Sequence, residues 1–137
     1  LVDPPFDFVF YRYGPYSFGL DSAFTQMELY GQLSKTFPNE GYGARYSVTA
    51  AGSDEAASLD RSDRRALQVL AGELGRSDSQ SLELWATCIW AMKEDGLSED
   101  DQIIDRVLEL KPKFSRPAVL EGLAHTRQLV ERLTESA

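Results

Sequence analysis

Apolar residues recur along the chain with two different periods. Between Phe6 and Tyr13 (FDFVFYRY), aromatic and β-branched residues dominate, and period two sets Phe6, Phe8 and Phe10 on one face and Val9, Tyr11 and Tyr13 on the other. That pattern predicts a short strand. Gly14-Pro15 ends it, because proline cannot continue a ladder and glycine permits a turn. From Ser17 the spacing changes to four and three. Leu20, Phe24, Met27 and Tyr30 form a stripe that predicts a helix from Ser17 to Leu33, with Ser17 as N-cap and Asp21 in its first turns. Gly31 lies near its end, and Pro38 bars further continuation. A turn-rich tip, Asn39-Glu40-Gly41-Tyr42-Gly43, then leads into a return strand at residues 44–48. Strands this short around a glycine-rich tip have the form of a wing.

After Gly52 the spacing is helical throughout. Arg61–Leu74 carries Ala66, Leu67, Leu70 and Leu74, with Gly75 as the residue beyond its C-cap. A second helix starts at Ser79 or Ser81, carries Leu82, Trp85, Ala86, Ile89 and Met92, and stops near Gly96. Ser98-Glu99-Asp100-Asp101 resembles a capping box ahead of Ile103, Ile104, Val107 and Leu108, and Pro112 closes that helix. Ser115 caps the last helix, with Pro117 in its first turn and Val119, Leu123, Val130 and Leu133 as its apolar stripe. The expected fold class is mainly α with a small β-hairpin. Residues 1–52 read as a partial winged-helix-like unit (strand, turn, helix, wing) and residues 53–137 as a helical bundle, the two packed as one domain.

Composition narrows the compartment and the partners. A length of 137 residues suits one core, and 42% hydrophobic with 26% charged residues excludes disorder as the starting expectation. The single cysteine, Cys88, allows no internal disulfide, and no apolar run approaches the ~20 residues of a membrane span, so a reducing, cytoplasmic setting and no membrane partner are expected. The chain begins at Leu1 on the approach to the first strand, which suggests a preceding segment in the whole protein. The net charge is −8, of which residues 1–52 carry −2. A negative field disfavours phosphate backbones unless Lys and Arg cluster locally.

Candidate chemistry is sparse. His125 is the only histidine, with Glu121 at i−4, and reads as a satisfied or solvated side chain. One histidine and one cysteine cannot build a four-ligand zinc site. Cys88, beside Trp85 and Met92 on a helix stripe, reads as core. The acidic run Glu94-Asp95 and Glu99-Asp100-Asp101 lacks the alternation of a calcium loop and reads as helix capping and solvated surface. Gly41 and Gly43 lack the spacing and following lysine of a phosphate loop. No catalytic, cofactor-binding or metal-ligating residue is expected, and no enzyme activity. Strand, turn, helix and wing make up the second half of a winged helix-turn-helix, whose helix before the wing reads the DNA groove. Here that helix has no Lys or Arg and carries Asp21 and Glu28, leaving Gln26 and Gln32 as weak base readers and Arg12, Lys35 and Arg45 as candidate nucleic-acid contacts. A winged-helix DNA-binding regulator is therefore the second reading, behind a module that binds a protein partner or itself.

Four segments carry a family resemblance. They are Tyr13-Gly14-Pro15-Tyr16-Ser17 with Leu20 after it, Tyr46-x-Val48-Thr49-x-x-Gly52, the run Leu82–Trp90 (LELWATCIW), and the run Val107–Ser115 (VLELKPKFS). Together they resemble the YwgA-like family, distantly similar to the SocA-like (Panacea) antitoxin domain. The resemblance implies a winged-helix-like fold followed by a helical bundle, without enzymatic activity, acting by binding a partner protein such as a toxin. In that pattern helices precede the YGPYS turn, and they are missing here. With them missing, the face of Phe6, Phe8 and Phe10 is expected to be an exposed apolar patch, and with Tyr13, Tyr16 and Ser17 to form the partner-binding surface.

Overall fold

The computed structural model describes residues 6–38, 43–57 and 61–135. The described residues form a mainly α fold with two small antiparallel hairpins, in the order β1 (Val9–Tyr11), β2 (Gly14–Tyr16), α1 (Phe18–Leu29), β3 (Leu33–Thr36), β4 (Arg45–Val48), α2 (Ala50–Ala56), α3 (Arg61–Leu74), α4 (Ser79–Lys93), α5 (Asp100–Leu110) and α6 (Arg116–Glu135). They group into two compact units at points other than Gly52. The described parts of 8–16 and 62–135 make one, and those of 6–7 and 17–61 make the other.

In the first unit the opening strand, Val9–Tyr11, is less than half as long as its alternation suggests. The chain reverses at Arg12-Tyr13, so that Val9 pairs with Tyr16, Phe10 with Pro15 and Tyr11 with Gly14. Gly14 makes the reversal with φ at 112°, a region side chains avoid. Pro15 is tolerated inside β2 because both strands of a two-stranded ribbon are edges.

The core lies among α4, α5 and α6. Leu84, Cys88, Ala91, Ile103, Ile104, Val107, Val119 and Leu123 form one buried cluster, with Met92, Leu97, Leu108 and Phe114 packed on it. The inward face of α4 is Leu84, Thr87, Cys88 and Ala91, while the larger Leu82, Trp85, Ile89 and Met92 of the expected stripe are half-buried. The reason is that α4 packs on α5, α6 and β2, so its big side chains fill the flanks and its small ones the closest approach. Gly122 permits that approach from α6, since a Cβ there would lie 2.6 Å from Leu84 Cδ2. On α6 the buried stripe runs Val119, Leu123, Thr126 and Leu129, and Val130 faces out.

Helix ends follow local chemistry. Asp78 caps α4 by accepting from the Gln80 and Ser81 N–H groups, each at 2.9 Å. Ser115 caps α6 through the Ala118 N–H. The expected box at Ser98 does not form. Glu99 is the N-cap of α5 without a side-chain bond, and the Ser98 carbonyl instead accepts from Arg127 of α6. Gly75 does not turn into the left-handed region but donates to the Ala71 carbonyl, extending the hydrogen bonding of α3 by one residue.

In the second unit Ser17 caps α1 by accepting from Leu20 N–H, and α1 ends in a Schellman turn. There Gly31 has φ 69°, its N–H reaches the Glu28 carbonyl, and Gln32 N–H reaches Met27. The helix stops at Leu29, and Leu33 begins β3. Leu33 pairs with Val48, Ser34 with Ser47, Lys35 with Tyr46, and Thr36 with Arg45. The expected tip at residues 39–42 lies outside the described residues.

Thr49 knots this unit. Its hydroxyl sits 2.6 Å from the Gly31 carbonyl and 3.0 Å from that of Gln32, and accepts from Gly52 N–H, capping α2. Gly52 is buried because a Cβ would meet the Gln32 carbonyl oxygen at 2.2 Å. The Thr-x-x-Gly motif thus has a steric and hydrogen-bonding origin.

Candidate interaction site

Three segments far apart in sequence meet at Lys111. Its ammonium lies 2.8 Å from Glu83 Oε1, donates at 2.5 Å to the Arg12 carbonyl, and stands 5.1 Å from the Phe10 ring centroid. Lys113 donates to the other oxygen of Glu83 at 2.6 Å. Phe10 in turn tilts against Trp90, with ring centroids 5.5 Å apart. Glu83 and Lys111 are 9% and 6% exposed, so the pair is desolvated and depends on its hydrogen bonds. Burial alone would raise the Glu83 pKa, but the bonds from Lys111 and Lys113 outweigh it and hold the carboxyl below its ordinary value. The group anchors the first hairpin to α4 and to the α5–α6 connection.

The anchor decides the standing of the proposed aromatic face. Phe10 is half-buried within it. Phe6 is half-buried against Gly19 in the second unit, its ring 3.2 Å from where a Gly19 Cβ would be. Phe8 and Tyr13 are exposed, Tyr16 is half-buried with its ring 5.8 Å from that of Tyr11, and Ser17 is buried as a cap. Phe6, Phe8 and Phe10 do not form one continuous exposed patch.

The candidate cations are also separated. Cross-strand partners share a face, so the register puts Lys35 with Tyr46 on one side of the β3–β4 hairpin and Arg45 with Thr36 on the other. Lys35 sits between aromatic rings, 5.4 Å from the centroid of Phe37 and 5.5 Å from that of Tyr46. Arg12 lies in the turn of the first hairpin, exposed.

Exposed large apolar side chains lie on the first hairpin, at Phe8, Val9, Tyr11 and Tyr13, and on the second unit, at Phe18, Met27, Leu29, Tyr30, Phe37 and Val48. None of the residues of α1 is buried. Phe37 is 73% exposed, Tyr30 77% and Leu29 80%, and Val48 on β4 is exposed too. Of the stripe expected on this helix, Leu20 and Phe24 are half-buried and Met27 and Tyr30 exposed, while Leu29, Phe37 and Val48 fell outside that stripe. The exposed side chains lie at the C-terminal end of α1 and on the hairpin, where no other element of that unit covers them.

Two remaining candidates resolve differently. Cys88 is fully buried, and burial pushes its thiol up to about 11 despite a hydrogen bond with Thr126. The acidic run is answered by arginines. Asp95 pairs with Arg106, Asp100 with Arg127, and Asp101 with Arg116. His125 makes neither a surface ion pair nor a hydrogen bond through Nε2, which is buried and without a partner, and its ring stacks on Trp85 at 4.1 Å and 22°. Among the described residues no helix is long and apolar enough to cross a membrane. Comparison with known proteins finds no matching family and no characterised relative.

Proposed function

We propose that the chain is a non-catalytic module that binds a partner protein through the apolar surface of α1 and the β3–β4 hairpin. The observation that carries this reading is a 12-residue helix with no buried residue, followed by Tyr30 and Phe37 in the open. Single exposed hydrophobics are ordinary, whereas an apolar surface gathered on one element marks an interface, and Phe18, Met27, Leu29 and Tyr30, on and just after α1, are all exposed. The resemblance to antitoxin-like domains agrees in making the partner a protein. The placement of cations argues against duplex DNA. Phosphate contacts need clustered Lys and Arg, whereas Lys35 and Arg45 occupy opposite faces and α1 presents Asp21 and Glu28.

The test has two arms. Proteins captured on the immobilised chain are purified and rebound to the wild type and to a Leu29→Glu/Tyr30→Glu variant, whose secondary structure is checked by circular dichroism. The variant is expected to bind at least about tenfold more weakly, consistent with loss of two central apolar contacts. In the second arm a labelled duplex is titrated at two salt concentrations. Salt-sensitive DNA binding that Lys35→Glu/Arg45→Glu abolishes, with the Leu29/Tyr30 variant unaffected in both arms, overturns the proposal in favour of a winged-helix regulator.

A further inference from the structure

A cavity of about 340 Å³ opens within the helical unit between α4 and α6. That volume falls at the small end for ligand sites, room for a side-chain-sized guest. Trp85 and Phe114 supply apolar wall, Asp78 and Glu121 supply carboxylates, and His125 completes the lining. The wall is locally determined. His125 follows Glu121 by one helical turn, so both point to the same side of α6. Gly122 lets α6 close on Leu84, which brings the imidazole onto the indole in a near-parallel stack at 4.1 Å.

The lining selects the charge of its guest. It includes two acidic residues and no lysine or arginine, and the Lys113 ammonium, 5.1 Å from the Phe114 ring centroid, is taken by Glu83 at 2.6 Å. The N-terminus of α4, which would otherwise attract an anion, is already occupied, because Asp78 takes the Gln80 and Ser81 N–H groups and the Ser81 hydroxyl. Those bonds leave the Asp78 carboxyl exposed and hold its pKa below the ordinary value. A neutral apolar guest would desolvate the carboxylates without compensation. A cation gains from both the carboxylates and the π-faces. Among cations, a planar guanidinium matches best, since it stacks flat on aromatic rings and bonds carboxylate oxygens through a rigid fork.

We propose that the cavity bounded by Asp78, Trp85, Phe114, Glu121 and His125 is a binding site for a guanidinium group, lying against the Trp85–His125 aromatic wall and paired with Glu121 and Asp78. The guest is a free arginine-like molecule or an arginine side chain of a bound peptide. The site lies in the helical unit and does not depend on the apolar surface of α1.

The test follows the Trp85 indole and His125 imidazole cross-peaks by NMR, with the Trp90 indole, packed against Phe10, as internal reference. N-acetylarginine methylamide stands for the chain-embedded side chain, free arginine for the small molecule, and N-acetylcitrulline methylamide for the neutral isostere. A Kd on the order of 1 mM is expected for a guest of this size. The tighter of the two arginine probes identifies the source. Citrulline is expected to leave the peaks in place, and Glu121→Gln/Asp78→Asn, in which asparagine retains the cap, to weaken binding by about tenfold or more. Equal binding of the citrulline and arginine probes, or no movement of the Trp85 and His125 peaks with either arginine probe, overturns the site. Both of those results are read on the wild-type protein, so a misfolded variant cannot mask them.

Discussion

The two compact units are held together by different means. In the helical unit the side chains of Cys88, Ala91, Ile103, Val107 and Val119 are wholly removed from water. In the other unit Leu33 is the single large apolar side chain below a tenth exposed among the described residues. Its geometry comes instead from hydrogen bonds, with Thr49 linking the end of α1, the start of β3 and the first turn of α2. Burial of apolar area supplies most of the free energy of folding, whereas a hydrogen bond exchanged with water adds about 1 kcal/mol. One unit therefore carries the stability, and the other has a defined shape that leaves apolar surface available.

That contrast can be broken most severely at the anchor. Glu83→Ala leaves the Lys111 ammonium buried with only the Arg12 carbonyl and is expected to destabilise by about 3–5 kcal/mol in urea unfolding. The same pair imposes a pH dependence. Because the folded Glu83 pKa is depressed, its contribution is complete above the ordinary glutamate value of 4.5 and is lost as the pH falls through the lower folded value. Glu83→Gln should flatten that acid limb, and an unchanged limb would remove the anchor from the account.

Leu123→Ala, in the centre of the core, should lower stability by about 2–5 kcal/mol. Gly52→Ala should follow at about 1–3 kcal/mol, because backbone rather than a flexible side chain must move away from the new methyl group. Native-state hydrogen exchange should show its effect confined to amides of residues 17–57. Leu29→Ala, on the exposed end of α1, should change the unfolding midpoint by no more than about 0.5 kcal/mol equivalent. A loss comparable to that of Leu123→Ala would mean that α1 belongs to a hidden core and would erase the distinction between the units.

Much of the fold could be read from spacing alone. The helices at 61–74, 79–93, 100–110 and 116–135, the Ser17 and Ser115 caps, and the return strand of the wing all follow from local patterns, whereas β3 at Leu33–Thr36 was hidden under the helix expected to run to Leu33. Three features escaped for identifiable reasons. The alternation of Phe6–Tyr13 cannot distinguish one strand from two halves of a tight ribbon, because the decisive residue is Gly14 with its positive φ. Helix α2 is short and alanine-rich, with no apolar stripe to announce it, and owes its start to Thr49. The anchor eluded reading altogether. Glu83, Lys111 and Lys113 look like solvated charges in sequence, and their burial depends on elements brought together only by tertiary packing. The cavity was half visible. His125 and Glu121 share a turn, but the partner that gives the histidine its stack, Trp85, lies on another helix.

The bond from Lys111 to the carbonyl of Arg12 joins residues 99 positions apart. A chain made from its N-terminus exposes the first hairpin long before the residue that secures it has been polymerised. Two strands of three residues are too short to persist alone in water, so the hairpin must wait, unfastened, until residue 111 has been made. Phe10, which ends up beneath the lysine and beside Trp90, is during that interval an apolar side chain without its shelter. The lysine that fastens the first hairpin thus also sets the earliest moment at which Phe10 can be covered.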